Sequence, residues 1–161
     1  IINWNHYWLY HWPYCSATVE KMKLLLLQGP NLNLLGVKSF ESNDTLTLDK
    51  LNRSIKKYLH MKDIELKILQ THKTYQAINF IQRNRNWADG LIIIPTSWAK
   101  YEWTILETIQ LTKIKTVQVK FDHPYSFSDP NDKSIFDSVV DETFVELPIE
   151  ACHHAFDYFL K

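Results

Sequence analysis

Four short aliphatic segments, set apart by stretches of helical pattern, constrain this chain more than any other feature. Residues 23–28, 64–70, 90–94 and 116–121 are rich in Leu, Ile and Val, and roughly twenty residues or more of helix and loop separate each from the next. Segment 90–94 is continuously apolar and 23–28 has an unbroken aliphatic centre at 24–27, as expected of strands buried on both faces, while 64–70 alternates through Ile64, Leu66 and Ile68. Between them the apolar spacing turns helical. Leu48, Leu51, Ile55, Tyr58 and Leu59 mark a helix over 47–61, with Thr45 or Thr47 to cap it. Ala77, Ile78 and Ile81 mark one over 74–84, and Ile105, Leu106 and Ile109 one over 103–112. Weaker segments at 136–140 and 143–147 and a closing helix over 149–161 complete the chain. The alternation predicts βαβ units and an α/β fold with a parallel sheet. In such a sheet the ligand crevice lies beyond the carboxyl ends of the strands. Attention therefore falls on residues 29–44, 70–75, 94–102 and 118–127.

Composition narrows the function classes. A chain of 161 residues suits one domain with a core of its own, here residues 21–161. Eighteen basic side chains balance eighteen acidic ones, which argues against a dedicated nucleic-acid or membrane-surface protein. Apolar runs such as residues 24–27 are far too short to span a bilayer. Cys15 and Cys152 imply neither a zinc site nor a disulfide framework and read as buried thiols. The histidines show no metal-ligand spacing, so no metal and no cofactor is expected.

Residues 1–20 are of another character: Trp4, Tyr7, Trp8, Tyr10 and Trp12 crowd a stretch with no Lys or Arg and no clean period. Trp and Tyr are typical interface anchors, so this aromatic extension is expected to dock on another protein. Trp98, Tyr101 and Trp103 are expected to add a second contact surface. The chain starts at Ile1 rather than Met, as a processed chain would.

The loop after the first strand, Gln28-Gly29-Pro30-Asn31-Leu32-Asn33-Leu34-Leu35-Gly36, resembles the Gly-Pro-Asn-Leu-Asn-Leu-Leu-Gly run of the type II 3-dehydroquinate dehydratases. Ala88-Asp89-Gly90-Leu91-Ile92-Ile93 and Pro95 extend the likeness, and Gln70-Thr71-His72 falls where the family has Gln-Ser-Asn. The resemblance implies a flavodoxin-like three-layer sandwich. It also implies where the family's machinery would stand. Lys38 takes the place of an arginine, Asn43 of the tyrosine that removes the C2 proton, and Ile94 of an asparagine that holds a water. Gln118 and Lys120 take the places of a glutamate and of the histidine that protonates the leaving hydroxyl. Lys100 replaces a substrate-binding histidine and Phe127 falls near a substrate-contacting arginine, while Asn31 is retained, with His72 and Ser97 as remnants.

Those replacements set the functional expectation. Isoleucine cannot position a water, and asparagine has no ionisable group with which to act as a base. A lysine would have to lose about three pKa units to act near neutrality. Acid–base assistance alone is worth about 10²–10⁴ in rate. The sequence therefore predicts a pseudoenzyme: a non-catalytic, dehydroquinase-like accessory subunit, with Asn31, Lys100 and Phe127 lining a vestigial pocket. Its partners would be other protein subunits of a large assembly, met through Trp4, Trp8, Trp12, Trp98 and Trp103, and the family's homo-dodecamer is not carried over. Lys-, Asn- and Ile-rich usage points to an AT-rich genome, and by analogy with accessory subunits recruited from metabolic enzymes the assembly would be mitochondrial, otherwise cytoplasmic. Two alternatives stand beside this expectation: an active 3-dehydroquinate dehydratase, and an anion- or RNA-binding module on Lys38, Lys100 and Lys120. For these lysines the expected partners are solvent, Glu41, Glu102 or Asp122.

Overall fold

The computed structural model describes residues 20–127, 129 and 131–161. The aromatic extension, with Trp4, Trp8, Trp12 and Cys15, lies outside the described residues.

Continuous aliphatic sequence makes β1 (Met22–Gln28) and β3 (Gly90–Ile94) the middle of the sheet. The strand order is β2-β1-β3-β4-β5, with β2 at Ile64–Gln70, β4 at Thr116–Phe121 and β5 at Glu142–Glu146. All four pairings are parallel, and Leu24 faces Leu66 on one side and Gly90 on the other. Side chains of a strand alternate between its faces, so β1 feeds two cores. Leu24 and Leu26 join Leu35, Leu51, Ile55, Ala151 and Phe156 on one face. These come from α1 (Leu35–Glu41), α2 (Leu48–Leu59) and α6 (Pro148–Leu160). Leu25 and Leu27 join Ala77, Ile81, Trp98, Ile105 and Ile109 on the other, from α3 (Thr74–Asn84), α4 (Trp98–Tyr101) and α5 (Trp103–Thr112). The result is the expected flavodoxin-like three-layer sandwich, its strand order changing direction between β1 and β3. Gly90 sits tightly under this core: a Cβ there would fall 2.2 Å from the Phe159 ring of α6.

Local chemistry explains the helix ends. Thr47 caps α2, its hydroxyl accepting from the Lys50 N–H at 3.3 Å. Pro148 opens α6 at a position where a missing N–H costs nothing. Two helices carry no pattern by which sequence could reveal them. α1 turns only Leu35 and Ser39 inward and leaves Val37 and Phe40 exposed, so it has no apolar stripe. α4 is four residues long, too short to show a period. The weak segment at 136–140 is a 3₁₀ turn, Ile135–Ser138, closed by a capping box in which the Ser134 N–H donates to Asp137.

Trp98 corrects the expected second contact surface: it is 1 % exposed and packs in the core beside α5, whereas Tyr101 and Trp103 are exposed. Three aromatics in six residues thus divide between anchoring α4 and facing solvent. Among the described residues no helix is long and apolar enough to cross a membrane.

A polar clasp joins α2 to α6. Tyr58 Oη lies 2.7 Å from both carboxylate oxygens of Asp157 and donates to that group, and Lys62 Nζ donates to Oδ1 at 2.7 Å. The Lys62 ammonium also sits 3.8 Å above the Tyr58 ring, on which His153 stacks at 3.8 Å and 9°. Burial pushes Asp157 up, but the Lys62 and Tyr58 hydrogen bonds outweigh it and its pKa lies below the usual carboxylate range. Burial lowers His153 below its ordinary 6.5, with Lys62 and His154 adding to that, against Asp157 and Glu150. Its Nε2 is buried without a hydrogen-bond partner. The folded protein therefore binds fewer protons here than the unfolded chain, and this contribution to stability, present at neutral pH, is lost as pH falls below 6.5. Urea unfolding at pH 7.5 and 5.5 is expected to show a smaller acid-induced loss in His153→Phe than in the unaltered protein. Equal losses in both would remove His153 as the cause.

Candidate functional site

The crevice lies at the carboxyl ends of the central strands, where the loops after β1, β2 and β3 are stitched together. Gly29 N–H donates to the Ile94 carbonyl at 2.8 Å. A Cβ at position 29 would fall 2.5 Å from the Pro95 carbonyl oxygen, so only glycine permits this approach. Thr96 Oγ1 lies 2.8 Å from the Pro30 carbonyl and 2.7 Å from that of Pro95, one hydroxyl proton serving two acceptors. Gln70 Nε2 donates to the Gly29 carbonyl at 3.2 Å, and the Asn31 N–H donates to His72 Nδ1 at 3.2 Å. Asn31 and Thr96 both adopt positive φ, 63° and 50°. Asparagine tolerates that region; for β-branched threonine it is strained.

Beneath these loops lies a pocket walled by Ile94, Pro95, Thr96, Ala99, Val119, Phe121 and Phe127, with Lys120 as its charged member. It encloses about 20 Å³, room for about one water. Of the residues singled out from sequence, Ile94, Lys120 and Phe127 meet here, and Lys100 stands next to Ala99 on α4. Gln118 does not reach the pocket. It is fully buried, its Nε2 donating to Asp137 and Thr143 at 2.8 and 3.1 Å while its Oε1 accepts from Ser134 at 2.5 Å. It ties β4 to the following turn. Lys38 lies apart, lining an open groove of about 490 Å³ with Glu41, Ser42, His123, Pro124 and Ser126. Asn43 is exposed at φ 56°, where the chain leaves α1.

Lys100 and Lys120 both engage Asp132, a partner outside those expected. Lys100 Nζ pairs at 2.8 Å with the Asp132 carboxylate, and Lys120 Nζ donates to the Asp132 carbonyl at 2.7 Å. Glu102 is engaged with Thr74 Oγ1, and Asp122 takes the N–H of His123. Asp132 holds Lys100 above the usual lysine value, and Lys100 holds Asp132 below the usual carboxylate range.

One pair has no signature in the sequence. The Tyr125 hydroxyl donates to the carboxylate of Asp44, the neighbour of Asn43. That bond holds Asp44 low and Tyr125 high, fixing an ionised carboxylate against a neutral phenol. Residues 44 and 125 both fall in the segments flagged by the strand ends, but 81 positions separate them and no local pattern joins them. Cys152 is fully buried and pushed up to about 12, so it is an inert core thiol. Among the described residues no three of His, Cys, Asp or Glu gather as a metal site would require.

Known proteins match this arrangement over most of the chain. The model of the family described as dehydroquinase class II matches residues 22–160. A 3-dehydroquinate dehydratase of Clostridium acetobutylicum is 31% identical over 114 residues, 71% of this chain and 79% of its own. One from Dictyoglomus turgidum is 32% identical over 104 residues, 65% of this chain and 72% of its own. The type II dehydroquinase of Butyrivibrio crossotus superposes with a TM-score of 0.76 at 24% identity, covering 88% of this chain and 99% of that one.

These likenesses overturn the expectation of a pseudoenzyme serving as accessory subunit of a mitochondrial assembly. The relatives that match are enzymes, and they match across the domain rather than at one loop. Lost side chains are not the same as lost chemistry. Lys120 still brings an ammonium to the pocket, and Tyr125 and Asp44 bring a phenol and a carboxylate to a second one, of about 260 Å³, which they line with Leu147, Pro148 and Ile149.

The Thr96 hydroxyl joins the first and third of the stitched loops, so its loss is separable from the strain of its backbone. Thr96→Val is expected to cost about 1–3 kcal/mol through the unsatisfied carbonyls. Thr96→Ser, which keeps the hydroxyl and sheds the β-branch, is expected to be neutral or slightly stabilising in urea unfolding.

Proposed function

This chain belongs to the class II dehydroquinase family, and from that premise we propose that it is a 3-dehydroquinate dehydratase. The observation that supports this most is the extent of the family match, residues 22–160, which takes in every strand and every loop of the crevice. A cytoplasmic setting goes with the reading, in keeping with the bacterial enzymes it resembles.

The reaction removes a proton from C2, next to the C3 ketone, and expels the hydroxyl at C1. The C2–H electron pair becomes an enolate, which then forms the C1–C2 double bond as the C1–O bond breaks. Lys120, at the pocket wall, is assigned as proton donor to the departing hydroxyl, which leaves as water. A donor begins the cycle protonated, as lysine ordinarily is at neutral pH, so the change from histidine to lysine is less disabling for an acid than for a base. The C2 proton is assigned to Tyr125, which passes its own proton to Asp44 along their hydrogen bond. Solvent returns the proton from Asp44 to Lys120. The apolar walls formed by Ile94, Val119, Phe121 and Phe127 exclude water around Lys120 and strengthen its charge.

Ultraviolet absorbance of the conjugated product tests the reading directly. Purified protein is expected to turn over 3-dehydroquinate, and a rate equal to the uncatalysed one would refute the assignment. Lys120→Arg is expected to keep the positive charge yet lower kcat about 10²–10⁴-fold, because guanidinium does not give up its proton. Tyr125→Phe is expected to lower kcat within the same range with KM little changed.

A further inference from the structure

We propose that Lys100 and Lys120 form the carboxylate subsite of this pocket, and that Asp132 occupies it in cis until an acid substrate displaces it. The assignment deepens the dehydratase reading and rests on it for the identity of the acid. Two lysines from different elements, one on α4 and one at the end of β4, converge on a single residue. Asp132 gives Lys100 its carboxylate at 2.8 Å and Lys120 its carbonyl at 2.7 Å. Asp129 faces Lys100 as well. Lys120 lines the pocket and Lys100 flanks it through Ala99, while among the described residues no acidic side chain lines it, so the site favours an anion.

The Asp132–Lys100 pair is suited to exchange. Both side chains are about half exposed, 47% and 54%, and an ion pair so open to water is weak. A ligand carboxylate of like charge and geometry replaces Asp132 with little change in electrostatic energy. The pocket holds about 20 Å³ as it stands, which no ring-sized acid fits, so entry and the departure of Asp132 go together. The chemistry of the substrate agrees. In 3-dehydroquinate the carboxylate and the departing hydroxyl share C1, so a lysine pair at the carboxylate brings Lys120 next to that hydroxyl.

Competition of this kind has a definite signature. Asp132→Asn removes the competing charge and keeps the backbone carbonyl that Lys120 uses. Titration calorimetry with quinate, which bears the same carboxylate and cannot undergo the reaction, is expected to show three- to tenfold tighter binding to Asp132→Asn than to the unaltered protein. Methyl quinate, which keeps the ring and hydroxyls but lacks the charge, is expected to show no such gain. Lys100→Gln is expected to weaken quinate about tenfold and to abolish the gain in the double variant. Quinate binding that is unchanged, weaker or undetectable in Asp132→Asn overturns the proposal, as does an equal gain with the methyl ester. Turnover is read separately: a charge-dependent gain without dehydration of 3-dehydroquinate leaves the subsite standing and removes the dehydratase reading.

Discussion

Everything at the functional end of this molecule depends on one backbone contact, the approach of Gly29 to Ile94 and Pro95. The Gly29 N–H donates to the Ile94 carbonyl, and the space a Cβ would need is taken by the Pro95 carbonyl oxygen. The loop after β1 is thereby pressed onto the loop after β3, at the point where the strand order changes direction. Thr96 and Gln70 reinforce the contact with hydrogen bonds to Pro30 and Gly29. The cost is local strain at Thr96 and a left-handed Asn31. Together these contacts make a rigid rim from which the pocket residues hang. Glycine occurs only three times in this chain, and the one at position 29 marks where the fold cannot yield.

How much of this is legible in the amino-acid sequence divides along physical lines. A strand buried on both faces announces itself as an unbroken aliphatic run, as β3 does, and β2 and β4, though interrupted by polar residues, also begin and end where the predicted segments do. Helices with an inward stripe are equally visible, because Leu51, Ile55 and Leu59 recur at helical spacing. α1 and α4 are not, since one buries too few side chains and the other is shorter than a period. Trp98 shows the limit of composition: aromatic density cannot tell a core anchor from a surface patch, and only the turn of a four-residue helix decides which ring faces inward.

The functional site is legible in position but not in chemistry. The strand ends point to the right loops, and Ile94, Lys120 and Phe127 do meet. Their roles are misjudged when each position is asked only whether it keeps its group. Proton transfer asks instead whether a suitable group reaches the same place. Tyr125 and Asp44, far apart in sequence, meet where the loop after β4 reaches the residues that follow α1, and no inspection of position 43 alone would find them. Gln118 illustrates the reverse. Its position suggests a catalytic neighbour, but its three hydrogen bonds to Ser134, Asp137 and Thr143 give it the work of holding a turn.

The two outermost strands carry a consequence for how copies of this protein behave in a crowded solution. Among the described residues the sheet of five parallel strands ends in two open ladders, at β2 and at β5. Such ladders invite another chain to add a strand. Here β2 is punctuated by exposed Glu65 and Lys67, and β5 is bounded by Glu142 and Glu146, the former exposed. A strand arriving at either edge would have to bring its own side chains against these charges, and two β5 edges would set glutamate against glutamate. Among the described residues the sheet is thus closed to growth by electrostatics, and the contacts open to the described part of the chain are those of its helical faces.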